Sequence, residues 1–327
     1  MIALTRQNVK QLLTLADCIE AVERAFVRYA NGESLVAPGI LGAHVPHGGF
    51  HIKTAALGNP SRRYFAAKIN ANFPNNRAKH GRPTIQGVLA LFDLETGEPL
   101  AVMDSIEITL LRTAAATAVA ARCLARSDAH VATLYGCGDQ ARVHLRALAL
   151  VRDISRVYAI DVDHDRAAAF AEEMSAELRI AIIPNEDSTA SLMASDMWVT
   201  LTPSRTPILL ASQHRPGVFI AAIGADNPEK HEIEPALLAK CKVVPDLIEQ
   251  AATIGDLHHA LDSGVMTLAD VHADLGQVLA GKRPGRTSEA DVFVFDSTGT
   301  ALQDVAAAAI AYERAIESGV GTPLELA

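Results

Sequence analysis

The chain is poor in aromatic residues. Phe, Trp and Tyr make up 5% of its 327 residues, with a single tryptophan. Its four cysteines (Cys18, Cys123, Cys137, Cys241) are scattered and form no CxxC pair. That spacing argues against a zinc framework or a disulfide scaffold and fits reduced, buried thiols. No apolar run approaches 18 residues, so no membrane partner is expected. Basic residues do not cluster, and 29 Lys and Arg face 38 Asp and Glu, a formal charge of −9. No electrostatic footprint for nucleic acid is present. The N-terminus lacks a positive start, an apolar core and a small-residue cleavage site, so the expectation is a cytoplasmic protein.

What the chain does have is aliphatic bulk. It is 49% apolar and 20% charged, which excludes a disordered chain. The length suggests about two domains. Residues 5–30 repeat apolar positions at helical spacing, with Thr14 or Asp17 as a helix cap. From 35 to 103, short apolar stretches lie between Gly, Pro and Asn, as in a mixed or antiparallel sheet. Residues 105–126 are Ala-rich and Pro-free, hence helical. Beyond them strands and helices alternate, which implies a parallel sheet covered by helices. The expected strands lie at 131–135, 156–161, 179–183, 196–200, 218–223 and 241–244. A last Ala-rich helix follows DVFVFDSTG.

One turn carries specific chemistry. Gly136-Cys137-Gly138-Asp139-Gln140-Ala141 follows an apolar strand and opens a helix, the GxGxxA pattern in its required context. The first glycine permits the tight turn, and the second lets the backbone approach a pyrophosphate. Ala141 lets helix and strand pack closely. The N–H groups of Asp139 and Gln140 open the helix and would face the phosphates. Asp161 ends the next strand, 25 residues after Gly136. A carboxylate there accepts from ribose hydroxyls and repels a 2′-phosphate, which favours NAD over NADP.

Further motifs come in a fixed order. Arg112-Thr113-Ala114-Ala115-Ala116 precedes the glycine turn. Ile223-Gly224-Ala225-Asp226-Asn227-Pro228-Glu229-Lys230 and Val294-Phe295-Asp296-Ser297-Thr298-Gly299 follow it. Together these resemble the ornithine cyclodeaminase / mu-crystallin family, from about Lys68 to Asp304. The resemblance implies an α/β fold of two parts. One is a Rossmann dinucleotide-binding domain over 113–301. The other is a discontinuous α+β domain, 1–112 with 302–327, for substrate binding and dimerisation. It also implies NAD(P), a small amino or imino acid as substrate, and a homodimer.

The same resemblance suggests roles. Arg112 would contact both substrate and cofactor, its planar guanidinium suited to clamping a carboxylate. Lys68, in the strand-like YFAAKIN, would bind substrate and assist catalysis. Asp226 would exchange a proton with the substrate nitrogen, as a carboxylate at a strand's carboxyl end can. Thr84, in Gly81-Arg82-Pro83-Thr84, would touch the cofactor, or else is an ordinary strand threonine. Lys230, Thr202 (beside Thr200 and Pro203) and Ser297 would line the cofactor, and Thr298 the substrate.

One departure stands out. Relatives acting on ornithine carry an arginine before the second strand, whereas VAPGILGAHVPHGGFHIK has no Arg or Lys until Lys53. Lys53, where many relatives have methionine, either supplies that charge to the substrate or is an edge-strand lysine. His44, His47 and His51 fit no metal spacing, so no metal is expected. Three activities fit: imine reductase or amino-acid dehydrogenase; ornithine cyclodeaminase, which recycles NAD⁺ in place; or ligand binding with little catalysis, as in mu-crystallin.

Overall fold

The computed structural model describes residues 1–34, 36–59 and 62–325; the side chains of His44, Asn59, Arg77 and Ala78 lie outside what is described. The chain divides into two compact units, Met1–Ala115 with Thr300–Ala327, and Ala116–Gly299.

The chain opens with β1 (Ile2–Leu4), α1 (Arg6–Leu12) and α2 (Leu15–Ala30). The helical stretch expected over 5–30 is therefore two helices, broken at Leu13 by a capping box. The Thr14 hydroxyl accepts from the Asp17 N–H at 3.2 Å, and the Asp17 carboxylate accepts from the Thr14 N–H at 3.3 Å. Next come β2 (Val36–Val45), β3 (Gly48–Asn59), β4 (Arg62–Asn72), α3 (Asn76–His80), β5 (Ile85–Asp93) and β6 (Pro99–Asp104). The β5–β6 turn is closed by Asp93, whose carboxylate accepts from the N–H groups of Glu95 and Thr96. The buried, Ala-rich α4 (Ser105–Leu124) follows.

The second unit runs β7 (Val131–Tyr135), α5 (Asp139–Ala149), β8 (Arg156–Ile160), α6 (His164–Leu178), β9 (Ala181–Pro184), α7 (Ser188–Met193) and β10 (Met197–Thr200). It continues through β11 (Phe219–Ala222), α8 (Pro235–Leu238), β12 (Lys242–Pro245), α9 (Ile248–Ile254), α10 (Asp256–Asp262), α11 (Leu275–Leu279) and β13 (Phe293–Asp296). The chain then returns to the first unit with α12 (Ala301–Ser318) and β14 (Thr322–Pro323).

The first unit's sheet has the order β14-β1-β6-β5-β4-β3-β2 and is antiparallel except for the β1–β6 pair. Alternation of side chains gives β3, β4 and β5 two different faces. Lys53, Lys68 and Leu89 lie opposite one another in register, all buried. One residue along, Leu41, Ile52, Ile69 and Val88 form the next row, on the other face, and Leu41, Ile69 and Val88 are exposed.

The second unit's sheet is wholly parallel, in the order β12-β13-β11-β10-β7-β8-β9. β10, β11 and β13 are buried along their whole length, as parallel strands covered on both faces must be. Strand order reverses between β7 and β10. That switch point is where open α/β sheets bind ligands, beyond the strands' carboxyl ends.

Candidate functional site

In the second unit, the glycine turn sits at the switch point. Gly136 has φ +89°, and a Cβ on it would come within 3.0 Å of the Leu201 carbonyl oxygen, so both conformation and space demand glycine. Gly138 is the N-cap of α5, with no side-chain cap; a Cβ there would meet nothing within 4 Å. The turn is thus open over the first N–H groups of α5, those of Asp139 and Gln140. The Gln140 Oε1 and Ser297 Oγ atoms are buried without a hydrogen-bond partner among the described residues. Open space, free helix N–H groups and two unpartnered polar atoms fit a polar, phosphate-bearing ligand.

Asp161 follows β8 and is tied to the same turn. It accepts from the Cys137 N–H at 2.8 Å and the Asp163 N–H at 3.0 Å, with the Arg166 guanidinium 3.4 Å away. These contacts fix the carboxylate beside the turn. Burial pushes the Cys137 thiol up to about 12, so it stays an inert thiol.

The loops after β10 and β11 are organised by a residue the sequence did not single out. Glu232 is fully buried and accepts four hydrogen bonds, each at 2.7 Å: from the hydroxyls of Thr200 and Thr202 and from the N–H groups of Thr202 and Gly224. A Cβ on Gly224 would come within 2.1 Å of the Thr202 carbonyl oxygen, so only glycine lets the two loops approach this closely. Asp256 in turn accepts from the N–H groups of Glu232 and Ile233 at 2.8 and 2.9 Å. Asp296, at the end of β13, accepts from the Leu257 N–H at 2.8 Å. Burial, together with mutual repulsion, drives the Asp256 carboxyl well above the carboxylate range, and burial drives Asp296 up to about 7. Burial also raises Glu232, against the pull of its hydrogen bonds.

On the same loops, Asp226 and Lys230 form an ion pair at 2.6 Å, with the Asp226 side chain 41% exposed. Asn227 accepts from the N–H groups of Glu229 and Lys230 and so shapes the turn between them. The Thr298 hydroxyl donates to Asp246 at 2.8 Å and accepts from Gln250 at 2.7 Å, contacts that brace its own loop.

In the first unit, Lys68 and Arg112 come together around a second residue that sequence reading passed over. Asp304, on α12, is fully buried, with the Lys68 ammonium at 2.7 Å and the Arg112 guanidinium at 3.0 Å. Arg112 also donates to the Gln303 Oε1 at 2.7 Å. That bond leaves the buried Gln303 Nε2 as a donor without a partner among the described residues. Lys53 is buried directly across from Lys68. Burial first, then the Arg112 charge, bring the Lys68 ammonium down to about 7. The Asp304 carboxyl is held below the usual range by Lys68 and Arg112 despite its burial.

Thr84 does not join this cluster. It precedes β5, five positions from Leu89, which pairs with Lys68, about 17 Å along a strand. His47 sits in a left-handed turn at φ 75° and His51 in β3. Among the described residues, no three His, Cys, Asp or Glu side chains gather as a metal site, and no helix is long and apolar enough to cross a membrane.

A Rossmann unit with an open glycine turn, joined in one chain to a unit that buries cations around an unpaired amide, defines an α/β protein of the dinucleotide-dependent oxidoreductase kind. The chain belongs to the Ornithine cyclodeaminase/mu-crystallin family, whose model matches residues 1–319. It is 38% identical to an alanine dehydrogenase of Archaeoglobus fulgidus, over 98% of this chain and 97% of that one. Three solved structures are close in fold. An archaeal alanine dehydrogenase dimer with bound NAD has a TM-score of 0.95 at 37% identity, covering 100% and 99% of the two chains. The Thermococcus litoralis Delta(1)-pyrroline-2-carboxylate reductase with NADH and L-proline has 0.93 at 33%, covering 99% and 100%. The Paracoccus denitrificans iminosuccinate reductase with NAD⁺ has 0.91 at 30%, covering 100% and 99%.

Proposed function

We propose that this protein is an NAD-dependent reductase of small 2-imino acids, also able to run as an amino-acid dehydrogenase. The observation that carries the reading is the buried group of Lys68, Arg112 and the free Gln303 Nε2 around Asp304. Planar guanidinium, ammonium and amide donors suit a carboxylate. NADH, when bound, would supply a hydride to the substrate's α-carbon. Lys68 and Arg112 hold the acid group and fix the α-carbon. Asp226, poised by Lys230, delivers the proton that the nitrogen takes up as the C=N bond becomes an amine. The relatives' names point the same way.

Residues of the second unit would hold the dinucleotide. Gly136, Gly138, Asp139 and Gln140 take the pyrophosphate, and Asp161 takes the ribose hydroxyls. Thr202, Lys230 and Ser297 lie along the rest of its length, with Thr298 bracing the last loop. The first unit would be the substrate and dimerisation domain. The exposed row Leu41, Ile69 and Val88 supports a homodimer, since such a face on a sheet calls for cover.

The test is NADH absorbance with pyrroline-2-carboxylate, and with 2-oxo acids plus ammonium. Net NADH loss matched by amino acid formation supports the reading. Release of ammonia and proline from ornithine with no net NADH change would instead make the enzyme a cyclodeaminase.

A further inference from the structure

We propose that His259, stacked on His231, is a positioning residue for Asp226: through the Lys230 carbonyl it holds the loop that carries Asp226, and it does so while both imidazoles are neutral. The inference rests on the reductase reading above, in which Asp226 delivers a proton, and adds two side chains that have no part in that reading. The His231 and His259 rings lie face to face, their centroids 3.9 Å apart and their planes 14° from parallel. His259, on α10, donates from Nε2 to the Lys230 carbonyl at 2.8 Å, and His231 donates from Nε2 to the Ile233 carbonyl at 2.9 Å. A carbonyl only accepts, so each neutral ring carries its proton on Nε2 and none on Nδ1. Lys230, whose backbone is held this way, is the residue whose ammonium pairs with Asp226 at 2.6 Å. One hydrogen bond and one ion pair therefore link α10 to Asp226. The His231 N–H donates to the Ser204 carbonyl at 2.8 Å and ties the same end of the loop to the segment after β10.

The stack is sensitive to acid. A further proton on either ring goes to Nδ1, and protons on both set two positive charges 3.9 Å apart. Burial first, then the His259 charge, holds the His231 imidazolium below the usual histidine range. A third imidazole, His258, lies 5.0 Å from the His259 ring and is paired with Asp262 at 3.4 Å. The chain around His231 also carries Asp226 and Lys230, Glu229 in an ion pair with Arg205, and Glu232. α10 adds Asp256, α9 packed against it adds Glu249, and Glu234 precedes α8. The Glu232 and Asp256 carboxyls are raised by burial, so they offer the stack little negative charge in acid. As pH falls through the histidine range the rings part, and the Lys230 carbonyl loses its donor.

Two variants separate the hydrogen bond from the stack. His259→Gln keeps an Nε2 donor for the carbonyl and cannot take up charge. His259→Phe keeps a ring on His231 and has no donor. NADH consumption is followed between pH 8 and 5.5 with whichever acid of the preceding test wild type consumes. At pH 8, kcat should fall about 10-fold in His259→Phe, while the KM for the acid changes less than about threefold. His259→Gln should keep kcat within about threefold of wild type at pH 8 and lose about threefold less of it on going to pH 5.5. Equal losses of kcat in the two variants, or an acid limb unchanged in His259→Gln, overturn the proposal. If His259→Phe fails to fold, the acid limb of His259→Gln decides. The second measurement needs no turnover: NMR of the Asp226 carboxylate carbon and the His231 imidazole in the three proteins. The Asp226 signal should move in His259→Phe and match wild type in His259→Gln. The His231 titration midpoint should rise by about half a pH unit in His259→Gln, which removes a chargeable neighbour. An Asp226 signal unmoved in His259→Phe overturns the positioning role. Absence of NADH turnover with every acid, beside the expected NMR changes, faults the reductase reading alone.

Discussion

The two units bury charge in opposite ways. The first gathers Lys68 and Arg112 around Asp304. The second gathers the carboxyls of Glu232, Asp256 and Asp296 around backbone N–H groups and hydroxyls. Burial first, then mutual repulsion, raises Asp256 and Asp296, so their negative charge is offset by protons at low pH. On the proposed function the first arrangement binds the acid, and the second holds loops in place.

Removing a cation from the first unit should have the largest effect. Lys68→Ala strips one donor from the acid and leaves Asp304 short of a partner. A loss of roughly 100- to 1,000-fold in kcat/KM is expected, the scale of about 3–4 kcal/mol for a buried charged contact. The pH dependence sharpens this. Lys68 loses its proton near 7, so acid binding should weaken as pH rises above that value. Lys68→Arg, always charged, should flatten the profile, as measured by calorimetric titration.

Next in size is Glu232→Gln. It puts an amide donor where two donors now point, at a cost of about 2–4 kcal/mol. The NADH dissociation constant should rise roughly tenfold, while acid binding to the first unit should hold. An equal loss of both would mean that Glu232 serves general folding and not the cofactor loops.

A smaller effect is expected from Asp256→Asn. The raised carboxyls of the second unit stabilise it when protonated. That contribution is whole below about 4, the unfolded value, and is lost as pH rises through the raised folded values, about 7 for Asp296. The variant should unfold at a temperature that varies less between pH 4 and 8 than wild type. A parallel shift at all pH values would contradict the proton-balanced picture. Smallest is Asp161→Ser, which should relax discrimination against NADPH by about tenfold. Wild type preferring NADPH would refute the role given to Asp161.

The difference between the units also governs what the sequence makes legible. The parallel sheet is written in short apolar runs such as VATLY and MWVT, and the glycine turn in local spacing. Lys68, Arg112 and Asp226 stand out as charges in apolar or motif settings. Asp304 and Gln303 do not, because they sit in a helix that reads as Ala-rich core. The clue was two polar neighbours on the buried stripe beside Leu302 and Val305. Glu232 left no comparable trace: its partners lie 8 to 32 residues away, at the end of β10 and on the loops beyond β10 and β11. β1 and β14 are three and two residues long, too short to show a period.

The most direct test of the central claim is isotope transfer. The enzyme is given NADH deuterated at the nicotinamide C4 and an imino acid, and the amino acid product is examined by mass spectrometry and NMR. The account predicts one deuterium at the α-carbon for each NAD⁺ formed, from the isomer labelled on the transferring face. Product without deuterium from either isomer, or no oxidation of the nucleotide, would contradict it.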